Sequence, residues 1–119
     1  ILAYSHCIAH GIDMQKGLPQ QDLAVAPGYG PLLRFNPAMR GAGESPFRLD
    51  SPRPSRPFRD YAEGELRYRS LMRSRPEEAE ELMRMAQEVV TEKYRSYEEL
   101  AGLGAQRFHP GARLGRVAE

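Results

Sequence analysis

The stretch ILAYSHCIAHG, residues 1–11, is the part of the sequence around which the rest is organised. It opens with an apolar run, residues 1–4, that is typical of a strand buried on both faces of a parallel sheet. In such sheets chemistry takes place just beyond the carboxyl ends of the strands, and Cys7 lies there. This thiol is a candidate ligand or nucleophile. The alternative is an inert, buried cysteine.

The same stretch predicts that the chain is part of a longer protein. A single central strand cannot form a sheet, because its backbone groups need strands on both sides. We therefore expect the neighbouring strands to lie elsewhere in a longer protein, of which this sequence is a carboxy-terminal piece. The predicted fold class is α/β.

Composition excludes several function classes. The 119 residues include 17 basic and 16 acidic side chains, a net charge of +1, and no long run of one sign. Binding to nucleic acid or to an anionic surface is therefore not indicated. The single cysteine excludes an internal disulfide framework and fits a reducing cytosol. No apolar stretch is long enough to span a bilayer, so we expect a cytoplasmic protein with no membrane partner.

Two histidines flank the thiol. His6, Cys7 and His10 form an H-C-x-x-H cluster, which is superficially a metal site. A structural zinc site takes four ligands, and the next candidate in the sequence is the distant His109. A self-contained zinc site is therefore not predicted, and the simpler expectation is that both histidines satisfy local backbone groups.

A helix is predicted over residues 13–26, with Asp13 as its N-cap. Pro19 is a defect within it, so the helix is expected to begin late, near Leu18 or Pro19, where proline suits the first turn. Pro27-Gly28 ends it, with Gly28 in the left-handed conformation.

Two short strands follow, over residues 31–37 and 47–50, and we expect them to pair. A proline-rich connector, residues 51–57, separates them from a helical region, residues 58–101. These boundaries predict a domain end at 1–50, the connector, a helical extension at 58–101 and a flexible tail at 102–119.

The helical region contains two predicted helices, over residues 61–73 and 74–101. Ser74 and Glu77 have the spacing of a capping box, with Pro76 in the first turn. Apolar residues repeat along one side of the second helix, and we expect this side to pack against protein. Its members are Ala79, Leu82, Met83, Ala86, Val89, Val90, Tyr94, Tyr97 and Leu100.

Several blocks of sequence resemble one known family at matching spacing. They are residues 4–11, 17–18, 20–21, 23–25, 28–29, 31–32, 34–37, 46–51, 65–69 and 74–101. Together they resemble the carboxy-terminal end of the large, homodimeric pyruvate:ferredoxin (or flavodoxin) oxidoreductases. Pro19, Pro27 and Gly30 depart from the residues that the family usually has at these positions.

This resemblance implies an enzyme that oxidatively decarboxylates pyruvate with coenzyme A to acetyl-CoA and CO2. It implies thiamine diphosphate with Mg²⁺, bound by residues outside this chain, and [4Fe–4S] clusters that deliver electrons to ferredoxin or flavodoxin. The amino-terminal strand would close the thiamine-diphosphate-binding domain. Cys7 would be the fourth ligand of the cluster nearest the thiamine, which agrees with the thiolate ligation of such clusters.

Two alternatives stay open on sequence alone. A sister enzyme acting on another 2-oxo acid would share these features, because the residues that select the substrate lie outside the chain. A non-enzymatic interaction module would use its long helix to bind a partner, with Cys7 purely structural. The buried strand at the amino end favours the enzyme, because a free-standing module would not begin with an unpaired core strand.

Overall fold

The computed structural model describes residues 2, 3 and 5–108, which form helices around one small sheet. The helices are α1 (Gly17–Val25), α2 (Phe58–Ala62), α3 (Leu66–Ser74) and α4 (Pro76–Gly102), and the strands are β1 (Leu33–Phe35) and β2 (Phe47–Leu49). Short 3-10 helices cover Ile8–His10, Met14–Lys16, Pro37–Ala42 and Ala105–Phe108. The architecture is thus mixed helix and strand, broadly the predicted α/β class. No helix among the described residues is both apolar enough and long enough to cross a bilayer.

The predicted strand over residues 1–4 is not found where the structure describes it. Leu2 and Ala3 belong to no strand, and Leu2 is fully exposed. Ile1 and Tyr4 lie outside the described residues. The only sheet among the described residues is the β1–β2 pair, and Leu2 and Ala3 do not belong to it.

Helix α1 begins late, as Pro19 predicted. Asp13 caps a separate 3-10 turn by accepting the Gln15 backbone N–H at 3.0 Å, and α1 starts only at Gly17. Pro19 therefore sits in the first turn, where its missing N–H has no intrahelical partner to lose. Gly28 ends the segment with φ 79° and donates its N–H to the Val25 carbonyl at 2.9 Å, which confirms the predicted left-handed residue.

The predicted strand pair is confirmed. Strands β1 and β2 run antiparallel, with Leu33 opposite Leu49. Arg34 and Asp50 form two hydrogen bonds of 2.6 and 2.7 Å across the end of the pair. Both strands are shorter than predicted. The Asn36 backbone N–H still donates to the Pro46 carbonyl at 2.8 Å, but the Asn36 side chain caps a 3-10 turn at the Ala38 N–H, so β1 ends at Phe35.

The core lies where α1, α2 and α4 meet. Its buried residues are Ala24, Phe58, Tyr61, Ala62, Met83 and Val90, with Leu23, Tyr29, Tyr68, Met72 and Ala86 packed around them. The Tyr29 ring stacks on Tyr61 with centroids 4.8 Å apart and tilts against Phe58 at 5.1 Å. Three aromatic rings therefore pack against one another at the centre of the core.

The region predicted as one helix over residues 61–73 is two helices. Helix α2 stops at Ala62, and α3 begins at Leu66. Between them Gly64 lets the Gln20 side chain approach, since a Cβ at Gly64 would overlap the Gln20 amide. Gln20 uses this space to donate to the Tyr61 carbonyl at 3.0 Å in the interior. A tertiary contact with α1 thus interrupts a pattern that is locally helical.

The predicted capping box is wrong. Ser74 is the last residue of α3, and its hydroxyl donates to the Leu71 carbonyl at 3.4 Å. Arg75 is the N-cap of α4 and makes no capping hydrogen bond, while Pro76 opens the helix. Because α3 extends through Ser74, the serine backbone is helical and its side chain cannot face the first turn of α4.

Replacing Ser74 with alanine should therefore change the free energy of unfolding by less than about 0.5 kcal/mol, as at an ordinary surface position. Asn36→Ala is the matched control, because the Asn36 side chain does cap a turn, and it should cost about 1 kcal/mol. Urea denaturation of the two variants measures both values. A loss at Ser74 as large as that at Asn36 would restore the capping box.

Helix α4 buries only one part of its predicted apolar side. Ala79, Met83, Val90 and Tyr94 are buried. Leu82, Val89 and Leu100 are exposed, Val89 by 62%. The Tyr94 hydroxyl donates to the carbonyls of Ser51 and Pro52 at 3.2 and 2.9 Å, so the helix also holds the start of the proline-rich connector.

Helix α4 ends at Gly102, one residue beyond the predicted end. The predicted flexible tail, residues 102–119, is described only as far as residue 108, where Ala105–Phe108 form a 3-10 turn. The remainder lies outside the described residues.

Candidate functional site

Cys7 is presented on a tight turn. It is the residue before the 3-10 helix Ile8–His10, in extended conformation, and its carbonyl accepts the His10 N–H at 3.0 Å. Gly11 closes the turn with φ 68° and donates to the Ile8 carbonyl at 2.9 Å. The thiol is exposed. The interpretation of Cys7 as a buried packing residue is therefore wrong for this chain. We call residues 7–11 the Cys7 turn.

The start of α3 anchors the far end of the Cys7 turn. The Leu66 backbone N–H donates to the Gly11 carbonyl at 3.2 Å. A Cβ at Gly11 would overlap the Leu66 side chain, and the positive φ would itself strain a larger residue. Only glycine allows this close approach, so the turn and the α2–α3 junction are joined backbone to backbone.

A buried carboxyl group lies beneath the turn. Glu65, the residue before α3, is only 1% exposed. Its Oε1 accepts a hydrogen bond from the Tyr61 hydroxyl at 2.7 Å and lies 3.9 Å from His10 Nδ1. Its Oε2 accepts from Arg67 Nε. Glu65 therefore links the Cys7 turn to the core through His10 and Tyr61.

Arg67 provides the positive charge that pairs with the Glu65 carboxyl group. Burial by itself lowers the pKa of the Arg67 guanidinium, but the hydrogen bond to Glu65 and the surrounding Tyr68, Glu65 and Tyr61 raise that pKa overall. The guanidinium also lies over the Tyr68 ring, 4.7 Å from its centroid. Arg67 is thus a permanent positive charge next to the Glu65 carboxyl group.

Helix α1 contacts His6, the residue before Cys7. The Gln21 side-chain amide lies 2.9 Å from His6 Nδ1, and because an amide nitrogen only donates, this ring nitrogen is the acceptor. The His6 ring also covers Gly17, where a Cβ would overlap it. Both histidines therefore have side-chain partners on other elements, Gln21 at His6 and Glu65 at His10.

The residues fit one ligand to an iron–sulfur cluster and no more. Cys7 is an accessible thiol on a supported turn, and such clusters are held by several thiolates. Within residues 2, 3 and 5–108, no three His, Cys, Asp or Glu side chains converge in a way that could hold a metal ion. His109, the other ligand candidate considered, lies outside that range. Cys7 therefore suits a shared site and is not a site by itself.

Sequence reasoning singled out Cys7 but missed its support. Glu65, Gln20 and Gln21 lie on predicted helices among many polar residues, and no local pattern separates buried Glu65 from exposed Glu63. The nearby Gly64 was the one available signal, because an isolated glycine inside a helical pattern often marks close packing.

Comparison with known proteins relates most of the chain to a group of enzymes. No protein-family model matches it. It is 43% identical over 107 residues to "Pyruvate-flavodoxin oxidoreductase" of Rhodospirillum rubrum, covering 90% of this chain. It is 42% identical over 101 residues to "Pyruvate:ferredoxin oxidoreductase" of Moorella thermoacetica, covering 85%. It is 32% identical over 99 residues, or 82% of the chain, to "Pyruvate dehydrogenase [NADP(+)], mitochondrial" of Euglena gracilis.

The chain spans a small part of each relative. The matched segment is 9% of the length of the Rhodospirillum and Moorella proteins and 6% of the Euglena protein. The similarity is therefore that of one segment to a much longer enzyme.

Proposed function

Since the chain belongs to the family of pyruvate:ferredoxin and pyruvate-flavodoxin oxidoreductases, we propose that it is the carboxy-terminal segment of such an enzyme and supplies Cys7 as one ligand of a [4Fe–4S] cluster. The observation that carries the proposal is the placement of Cys7. The thiol is exposed on a turn that α1 holds through His6 and the α2–α3 junction holds through Gly11.

The reaction of the full-length enzyme is the oxidative decarboxylation of pyruvate with coenzyme A to acetyl-CoA and CO2. Thiamine diphosphate with Mg²⁺ supplies the decarboxylation chemistry, and [4Fe–4S] clusters carry electrons to ferredoxin or flavodoxin. The role of this chain is to hold a thiolate in place and to pack against the rest of the enzyme. We propose pyruvate as the substrate, and not another 2-oxo acid, because the names of the relatives specify pyruvate.

The domain organisation follows from this assignment. Residues 1–50 would end the domain that contacts the thiamine diphosphate and the cluster, residues 51–57 would connect it to the helical extension at 58–101, and a flexible tail would follow. In the full-length enzyme the segment 1–4 would find the neighbouring strands that this chain lacks. We place the enzyme in the cytoplasm as a homodimer.

The direct test is the full-length enzyme, purified without oxygen. It should show the visible absorbance of iron–sulfur clusters and reduce ferredoxin or flavodoxin only when both pyruvate and coenzyme A are present. Testing both carriers and a second 2-oxo acid in the same assay identifies the acceptor and the substrate. A protein without iron, or one indifferent to every 2-oxo acid, would refute the proposal.

The 119-residue chain alone should bind no stable cluster and have no activity. One cysteine cannot replace the several thiolates that a cluster requires. Reconstitution of the purified chain with iron and sulfide, followed by iron analysis after desalting, measures this. The full-length enzyme treated in the same way is the positive control. Stoichiometric four-iron incorporation into the chain alone would contradict the shared site.

A further inference from the structure

We propose that Glu65 is a positioning residue for the Cys7 thiolate, which it orients from beneath the Cys7 turn through His10. The inference rests on the proposed function, because it assigns a task to Glu65 only if Cys7 is a cluster ligand. Glu65 contacts neither the thiol nor a cluster, so it is not a catalytic residue.

Glu65 is buried, although it carries a carboxyl group. A carboxyl group that is 1% exposed has lost nearly all of its hydration, which is unfavourable unless partners replace the water. Even with partners, a buried ion pair is often no more stabilising than apolar residues of similar volume. Stability alone therefore does not account for Glu65, whereas a requirement for one orientation does.

Both oxygens of the carboxyl group have hydrogen-bond donors. Oε1 receives the Tyr61 hydroxyl at 2.7 Å, and Oε2 receives Arg67 Nε. Tyr61 is itself 1% exposed and stacks on Tyr29, so its hydroxyl fixes the carboxyl group relative to the core. Glu65 has little freedom to move relative to the helices.

Two series of contacts connect Glu65 and its neighbour Leu66 to the Cys7 turn. The side-chain route runs from Glu65 Oε1 to His10 Nδ1 at 3.9 Å, and the His10 backbone N–H binds the Cys7 carbonyl at 3.0 Å. The backbone route runs from the neighbouring Leu66 N–H to the Gly11 carbonyl at 3.2 Å. They meet the turn at consecutive residues, which restrains both its position and its rotation.

Such support matters because a ligand must be held close to its productive geometry. Groups that orient metal ligands from behind commonly contribute 10- to 100-fold to metal affinity or activity. An exposed thiol on an unsupported turn would sample many orientations. The structure assigns the restraint of Cys7 to Glu65 and His10 together.

The test measures how well the cluster protects Cys7 in the full-length enzyme. Iodoacetamide is added to the iron-loaded and the chelator-treated protein, and the alkylated fraction of the Cys7 peptide is followed by mass spectrometry. The variants are Glu65→Gln, which preserves volume, and His10→Ala, which leaves the buried Tyr61–Glu65–Arg67 group in place. Glu63→Gln is the matched control, because Glu63 is exposed and lies 3.9 Å from Arg59 on the surface.

We expect iron to protect Cys7 in the unmodified enzyme and in Glu63→Gln. In Glu65→Gln and His10→Ala the iron-loaded protein should be alkylated roughly tenfold faster, the lower end of the 10- to 100-fold effect of groups that orient metal ligands from behind. The visible cluster spectrum should change in the same two variants, while their thermal unfolding remains cooperative. A purely structural glutamate would lower the unfolding temperature without changing the spectrum.

The outcomes separate the two proposals. If iron does not protect Cys7 even in the unmodified enzyme, the ligand role fails and the positioning role fails with it. If iron protects Cys7 equally in all variants and the spectra agree, the ligand role stands and the positioning role is refuted. Should Glu65→Gln fail to fold, His10→Ala decides alone, because its side chain is partly exposed and no buried group is removed.

Discussion

Cys7→Ala in the full-length oxidoreductase should lower the iron content per chain and reduce electron delivery to ferredoxin by about 100-fold or more. If Cys7 is the proposed cluster ligand, loss of the thiolate leaves one iron without its protein ligand, and even supporting residues contribute 10- to 100-fold at metal sites. Pyruvate binding should fall far less than electron delivery, because the proposed role of Cys7 is to bind iron. Iron analysis and pyruvate-dependent ferredoxin reduction, measured on one preparation, test both statements.

Two further variants sharpen this result. Cys7→Ser should retain a weakened cluster, because an alkoxide binds iron but is a harder ligand than a thiolate. Ser5→Ala is the control, because it changes an exposed residue of the same segment without removing the thiol. A purely structural cysteine predicts full iron content in Cys7→Ala and only a modest loss of stability, on the order of 1–2 kcal/mol. Full iron content and normal turnover in that variant would end the ligand assignment.

Val90→Asp should destabilise the 119-residue chain by about 4 kcal/mol, whereas Val89→Asp should cost less than about 1 kcal/mol. Val90 is 5% exposed and belongs to the core, so aspartate there would be a buried charge without a partner. Val89 is 62% exposed, and aspartate there remains hydrated. The two positions are adjacent, so each variant is the other's control for helix propensity and net charge.

Urea denaturation followed by far-UV circular dichroism measures both values. A loss of about 4 kcal/mol is a large part of the stability of a small domain, so Val90→Asp is expected to be partly unfolded in buffer. Equal effects at both positions would show that the side of α4 carrying Leu82 and Val89 is also covered. That result would restore the broad packing side predicted from sequence.

Local interactions were readable from the sequence. The antiparallel pair β1–β2 follows from two short apolar runs on either side of a turn-rich segment, and the late start of α1 follows from the backbone geometry of Pro19. The left-handed Gly28 and the long helix α4 also depend on residues close in sequence. Cys7 could be named as a ligand because the family resemblance marked it, and its exposure agrees with that role.

Tertiary contacts decided the rest. Ser74 and Glu77 satisfy a capping pattern, yet packing of α3 against α4 extends α3 through Ser74 and moves the cap. Gly64 interrupts a helical pattern because the Gln20 amide needs its space. In each case several conformations are locally acceptable, and contacts with elements distant in sequence select one of them.

In the candidate site, too, some features follow from the sequence and others depend on tertiary contacts. The sequence by itself determined that Cys7 follows an apolar segment and lies between His6 and His10. Only the folded chain placed Glu65 beneath His10 and Leu66 against Gly11. Burial separates Glu65 from Glu63 although both are glutamates near the same glycine, because burial depends on which helices meet there. Helix periodicity likewise assigned Val89 and Val90 to one apolar side, but the elements packed against α4, which are α2, α3 and β2, leave Val90 buried and Val89 exposed. A periodic pattern determines which residues share a side of a helix, whereas the number and position of neighbouring elements determine how much of that side is buried.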